Sequence, residues 1–487
     1  MLLVAFLAVE HVRRKLALDR HLKELSTKGE RVSLADLKPK RAAAGQNGAI
    51  EFQRLTNLLS GKFTNLDNAP PSLRFVKPGK AVVTWRLRAW SGDGKETNDW
   101  IKIGAELKEA DPSLRLLHSA SRKPVFYSDF DYEKSFVDFK IGSLATIKRA
   151  AQILNVATDY ELSQGRLDAA YEHLLGLVNL VSQKTEPMVI FQLVRQACAS
   201  LAFNATWEVL QAEDWSDEQL EELQKAWERA DFSSDMAASF EMERAMTLDF
   251  FRQIKSSKPT LDFVVEQRAR WGSLNSFVTD GFILKSVNVP LWRMAWADRD
   301  TFQALRRWQV IIERGRYART NSWSALRSAN SGNRHSAISP LVPESYDSES
   351  SRFDRFRFLF SSGPFGIDNP AIYRTLTADT QRRMTITAIA LRRFHARTGQ
   401  LPPQLGLLVP GYLAQLPRDD MDGGVLRYQV LPNGEFVLYS VGADGKDDEG
   451  DSTCARETTT YRKIWDGRDA VWPSAATAEE TAKQRVD

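Results

Sequence analysis

The chain has 487 residues, two cysteines and a formal net charge of +4 from 66 basic and 62 acidic side chains. That length accommodates two or three domains, and 43% hydrophobic against 26% charged residues is the mixture of a globular protein. The near balance of charge excludes a global pull toward nucleic acid or toward anionic membranes, and Cys198 and Cys454, far apart in sequence, exclude a disulfide framework or a cysteine metal site.

The first segment, residues 1–25, opens on the apolar run MLLVAFLAV and passes at once to Glu10, His11, Arg13, Arg14 and Lys15. A spanning helix needs about 20 apolar residues, and a signal peptide carries its positive charges before the apolar stretch, not after it. Three readings stand: the tail of a transmembrane helix whose beginning is missing, an interfacial anchor with a basic face, or an ordinary amphipathic helix. The first two place the chain at a membrane through its N-terminus. Residues 26–130 read as a mixed region. STKGERVSLADLKPKRAAAGQNG is a polar linker. KAVVTWRLRAW alternates like a short strand, and NDWIKIGAELKEADPSLRLLHSA has helical spacing.

From 131 to 325 the pattern is all-helical. Two apolar-striped helices are joined at Gln164, Gly165 and Arg166, with Ala150, Ala151, Ala157, Ala169 and Ala170 allowing close approach. The unit is similar to a tetratricopeptide-type hairpin. Ser216 with Gln219 forms a capping box that starts a later helix. Trp292 and Trp296 share a helical face and read as core or a domain contact. Residues 326–370 read as a linker and extended segment, including RFDRFRFLF. In 371–471 a helix begins near Asp379 as its cap and ends at Gly399, and two β-rich runs flank Pro432, Asn433 and Gly434 as a hairpin. Residues 472–487, rich in Ala, Thr and Glu, read as a disordered tail. The expected class is therefore α+β: a mainly helical central domain followed by a small domain of one helix and an antiparallel sheet.

The order helix, TGQLPP, LVPGYLAQLPRDDMDG, LRYQV, FVLYSVGADGKDDEGD resembles the C-terminal domain of the major pseudopilin of type II secretion systems. Gly399 and Pro402 match that family's first turn, Leu416, Pro417 and Asp419 its second, and Gly442, Ala443, Asp444 and Gly445 its third. The resemblance covers roughly 375–455. It implies a long helix, a small sheet and a loop that binds calcium. A pseudopilin carries its apolar assembly helix directly before this domain. Here a long helical region precedes it and the helix is rich in Arg, so the chain does not read as a filament subunit. As a whole it is similar to a group of uncharacterised bacterial membrane-anchored proteins, which implies architecture and not chemistry.

The candidate metal ligands are Asp444, Asp447, Asp448 and Asp451, close in sequence and flanked by Gly442, Gly445 and Gly450. Calcium takes about six to eight oxygens, and crowding four carboxylates without a cation costs repulsion. Against this, Asp448 and Glu449 stand where the family loop has glycines, and the plain alternative is a solvated turn. No catalytic signature appears: the histidines, among them His173 and His395, sit in no metal-protease frame. There is no nucleophile elbow, P-loop or dinucleotide fingerprint. In RDTFQALRRWQVIIERGRYAR the Arg stems read as cover for apolar surface rather than as a base-stacking face. The leading expectation is a non-enzymatic, membrane-tethered interaction or scaffold protein linked to secretion or the cell envelope. Most of its chain lies outside the cytoplasm; it has a protein partner, no nucleic acid and no small-molecule substrate. The rival is an enzyme whose site gathers Glu241, Glu243, Asp249 and Arg293 in the helical domain.

Overall fold

The structure, a computed structural model, describes residues 1–40, 42–43, 45–59, 66, 73–87, 89–91, 97–128, 130–134, 139, 141–142, 144–270, 287–331, 358–361, 368–456 and 460–483. The fold is mainly helical with small sheets, an α+β mixture. Helices α1 (Leu2–Thr27), α2 (Leu34–Leu37), α3 (Ala49–Leu59) and α4 (Trp100–Ser121) precede the central body. The body comprises α5 (Leu144–Ser163), α6 (Leu167–Ser182), α7 (Val189–Val209), α8 (Asp217–Glu228), α9 (Phe232–Ser256) and α10 (Lys258–Arg270). A π-helical turn at Trp292–Trp296 leads into α11 (Ala297–Thr320), followed by α12 (Trp323–Ser331), α13 (Asp368–Thr398) and α14 (Ala478–Lys483).

Sequence explains the body's centre. α7 reads VIFQLVRQACASLAFNATWEV, apolar on nearly every side, and is buried along its length; a helix of that kind must be surrounded. It packs against α5, α6, α9 and α13, and Ala199, Ala202 and Ala205 on it are fully buried. The α5–α6 hairpin turns at Gly165 (φ +71°), a left-handed conformation that a side chain would strain. Ser216 and Gln219 form the expected capping box of α8. Trp292 and Trp296 are both buried, with Phe251 and Phe360.

Four readings are changed by the structure. The long helix begins at Asp368, so Asp379 lies inside it and not at its start. There it is buried and caps a different helix: its carboxylate accepts the backbone N–H groups of Phe232 (3.4 Å) and Ser233 (2.8 Å) and the Ser233 hydroxyl at the start of α9. KAVVTWRLRAW is not one strand: β2 (Lys80–Ala81) gives way to a 3-10 turn at Thr84–Arg86 and then β3 (Ala89–Ser91), because Thr84 turns inward to a buried carboxylate. The tail carries structure: β10 (Ser474–Ala475) pairs in parallel with β2, which also pairs with β1 (Phe75–Lys77), and Glu480 bridges Lys77 (3.0 Å) and Lys80 (3.1 Å). Finally, the 326–370 segment is partly helical through α12, and Leu359 and Phe360 are buried, held by Asp300 through the N–H groups of Phe360 and Ser361 (both 2.9 Å). The rest of RFDRFRFLF, before Phe358, lies outside the described residues.

The remaining short pairs are β3 with β4 (Thr97–Asp99) and β5 (Val125–Phe126) with β6 (Lys184–Thr185). The C-terminal sheet orders β7 (Arg427–Val430), β8 (Phe436–Ser440) and β9 (Ala470–Val471), all antiparallel. The sheet and α13 do not have a core of their own. One cluster of buried apolar residues runs from Ala49 through the α5–α8 body to Ile389, Leu438 and Trp472.

Candidate functional site

The acidic loop leaves β8 and is built around close approaches. Gly442 has φ +68°, and a Cβ there would stand 2.2 Å from the Arg468 carbonyl oxygen, so no side chain fits. The Ala443 carbonyl accepts hydrogen bonds from Trp323 Nε1 (3.2 Å) and Arg327 Nη1 (2.8 Å) of α12, which pins the loop to the helical body.

Each predicted ligand has its own fate. Asp444 is exposed and its Oδ1 accepts the Lys446 N–H (3.0 Å). Asp447 accepts the Tyr439 hydroxyl (3.0 Å), the Glu449 N–H (3.1 Å) and Arg427 Nε (3.2 Å). Asp451 accepts the N–H and hydroxyl of Thr453 (both 2.9 Å) and faces Arg468 at 3.5 Å. Asp448 enters the loop's bonding through its backbone: its N–H and that of Gly450 (2.7 Å) donate to Asp469. Asp469, which the sequence reading missed, is the loop's internal anchor, and burial pushes its carboxyl up to about 6. The signal that would have found it is the acid in GRDAVWP, just before a second apolar run.

A calcium ion needs its oxygens turned to one point. Among the described residues no group of three or more His, Cys, Asp or Glu side chains is so placed. Asp447, Asp451 and the Ala443 carbonyl are turned instead to donors within the protein.

The rival site is dispersed in the same way. Glu241 accepts from Arg31 (2.8 Å) and Arg316 (2.7 Å). Glu243 accepts the Val189 N–H at the start of α7 (3.1 Å), and burial pushes its carboxyl up. Arg293 donates to the carbonyls of Lys255 (2.7 Å) and Ser256 (3.0 Å), capping the end of α9. Asp249 is engaged as well. His118 and His173 meet instead, Nε2 to Nδ1 at 3.0 Å between α4 and α6. Burial, then the neighbouring ring, pulls His173 down to about 4.

Two surfaces are suited to binding. A cleft of about 340 Å³ opens between the end of α7, α13 and the C-terminal sheet. Trp472, Phe436 and Leu401 line it, with Arg392 and His395 from successive turns of α13. Arg392 donates to the Ala212 carbonyl (3.0 Å) and has no carboxylate partner among the described residues. An apolar floor beside an available guanidinium suits a partner segment that carries a carboxylate.

The second surface is the outer face of α1. Leu7 and Leu18 turn inward to α9, α11 and the π-helical turn, and Leu25 is buried on the same side. On the opposite face Leu2, Phe6, Val9 and Leu16 are each more than half exposed. Arg13, Arg20 and Lys23 continue that line at helical spacing and are exposed too. Met294, on the π-helical turn against which α1 packs, is likewise exposed. Among the described residues no helix is long and apolar enough to cross a membrane. Comparison with protein-family models, with curated proteins and with solved structures returns no match for the chain.

Proposed function

We propose that this chain is a non-enzymatic interaction protein held at a membrane surface through α1, with the cleft beside Arg392 as a docking place for a protein partner. The observation that supports it most directly is the outward face of α1. Four large apolar side chains exposed in line on a helix whose other face is packed are a cost in water. Buried in the acyl boundary, they become favourable at about 25 cal/mol per Å² of apolar surface. Basic residues following them add attraction to anionic headgroups, on the order of 1 kcal/mol each near the surface. The resemblance to a secretion-system domain points to the bulk of the chain lying outside the cytoplasm. The basic run after the apolar residues favours the opposite orientation, and protease protection in intact cells decides between the two.

The test is flotation of the full chain with vesicles. Vesicles containing phosphatidylserine are expected to carry the protein, purely zwitterionic ones to carry several-fold less, and Phe6→Glu with Leu16→Glu to abolish binding without lowering the melting temperature. Equal recovery of wild type and double variant, or self-association of the wild type through this face in place of vesicle binding, sinks the reading.

A further inference from the structure

We propose that Arg427 supplies, from within the chain, the positive charge that the pseudopilin resemblance assigns to calcium, so that the 444–451 loop folds without a metal ion. Arg427 lies on β7 directly across from Tyr439 of β8, and both side chains meet at Asp447 (3.2 and 3.0 Å). The same guanidinium donates to Asp422 through Nη2 (2.6 Å) and Nη1 (3.3 Å), and to Asp419 through Nη1 (3.4 Å). It therefore joins three carboxylates from two places that the fold brings together, the turn that holds Asp419 and Asp422 and the acidic loop. A guanidinium is suited to this because its planar fork meets carboxylates two bonds at a time and stays charged at any physiological pH.

One positive charge against three carboxylates leaves negative charge over, and the chain disposes of it with fixed donors. Asp419 is fully buried and accepts the N–H groups of Met421 (2.9 Å) and Val441 (3.0 Å) and the Ser440 hydroxyl (2.8 Å). Asp451 faces Arg468. Asp469 takes the Asp448 and Gly450 N–H groups, so the loop's backbone donors turn inward to a carboxylate. In a loop wrapped around a cation, carbonyl oxygens would turn inward instead. The inward-facing N–H groups here have the wrong polarity for a cation and the right one for an internal carboxylate-and-guanidinium network.

The experiment is thermal unfolding of the full chain, with millimolar calcium and with chelator, paired with equilibrium dialysis of calcium. The wild type is expected to melt at one temperature in both buffers and to bind no stoichiometric calcium. Arg427→Ala is expected to melt a few degrees lower, and to regain part of that loss when calcium is added, because Asp419, Asp422 and Asp447 then lack their shared cation. Should Arg427→Ala fail to fold, the wild-type dialysis and melts still decide. A lower melting temperature of the wild type in chelator, or one calcium bound per chain, overturns the proposal.

Discussion

The loop at 444–451 and the packed face between α5 and α7 both collect carboxylates, and they treat them in opposite ways. In the loop, near solvent, Asp447 and Asp451 have guanidinium, hydroxyl and N–H partners. Inside the helical body, Asp159 of α5 is buried with one oxygen lacking any hydrogen-bond partner in the described structure, as is the Asn155 amide oxygen one turn earlier. Glu208 of α7, which interacts with it, accepts the Thr84 N–H at 3.0 and 3.1 Å. Burial pushes Glu208 up to about 7; burial, then the Glu208 charge, pushes Asp159 well above the carboxylate range. Glu186, likewise buried, is pushed up to about 7. Density of acid in the sequence is thus a poor guide to electrostatic stress. What matters is how many donors the fold aims at each oxygen.

The sharpest way to break that comparison is Asp379, which is as buried as Asp159 but fully supplied, by two N–H groups, a hydroxyl and Arg382 Nε (3.0 Å). Asp379→Ala is expected to lose about 2–4 kcal/mol, because it leaves the Phe232 and Ser233 donors and Arg382 without their buried acceptor while Asp231 still caps α9; urea unfolding measures it. A loss under about 1 kcal/mol would mean that donor supply is not what distinguishes the two acids.

The next effect is pH dependence. Glu208 and Glu186 have folded values above the unfolded value of 4.5, so the native state holds protons that the unfolded chain releases. Their contribution is full below 4.5 and lost as pH rises to about 7. His173 acts from the other side: its folded value of about 4 is below 6.5, so stability present above 6.5 is lost as pH falls toward 4. The free energy of unfolding is expected to decline from pH 5 to pH 8 by on the order of 2–3 kcal/mol per buried acid, with His173 offsetting part of that decline below pH 6.5. Glu208→Gln should flatten that decline. An unchanged slope in the variant would remove Glu208 from the account. The smallest effect is expected at the surface: Asp451→Asn should change stability by about 0.5 kcal/mol or less, since its ion pair with Arg468 is half-exposed. A loss several times larger would show the loop to be as stressed as the interior.

Much of the helical architecture was legible, because it depends on local spacing. The stripes of α5 and α6, the turn at Gly165, the Ser216–Gln219 box, the end of α13 before Gly399 and the hairpin between β7 and β8 all follow from residues a few positions apart. What could not be read were partners set by the tertiary fold. Asp379 sits 146 residues from Ser233, which it caps. Glu208 is 124 residues from Thr84, whose N–H it accepts. Ser474 is 395 residues from the Gly79 carbonyl beside which it pairs. Within the candidate site, the glycines announced the loop's tight approaches and Asp444, Asp447, Asp448 and Asp451 its charge. Arg427 gave no warning, since a single Arg in LRYQV looks like any solvent-facing strand residue. Asn155 and Asp159 did carry a signal, two polar residues four apart on an otherwise apolar stripe.

The pairing of β10 with β2 has a consequence for how the chain is made. β1 and β2 leave the ribosome early, with Lys77 and Lys80 and one edge of their small sheet unmet until residues 474–480 have been synthesised. Closure across so long a separation carries a large entropic cost and comes late in assembly. Until then that edge is open to strands of other nascent chains, and β10 is the strand that closes it.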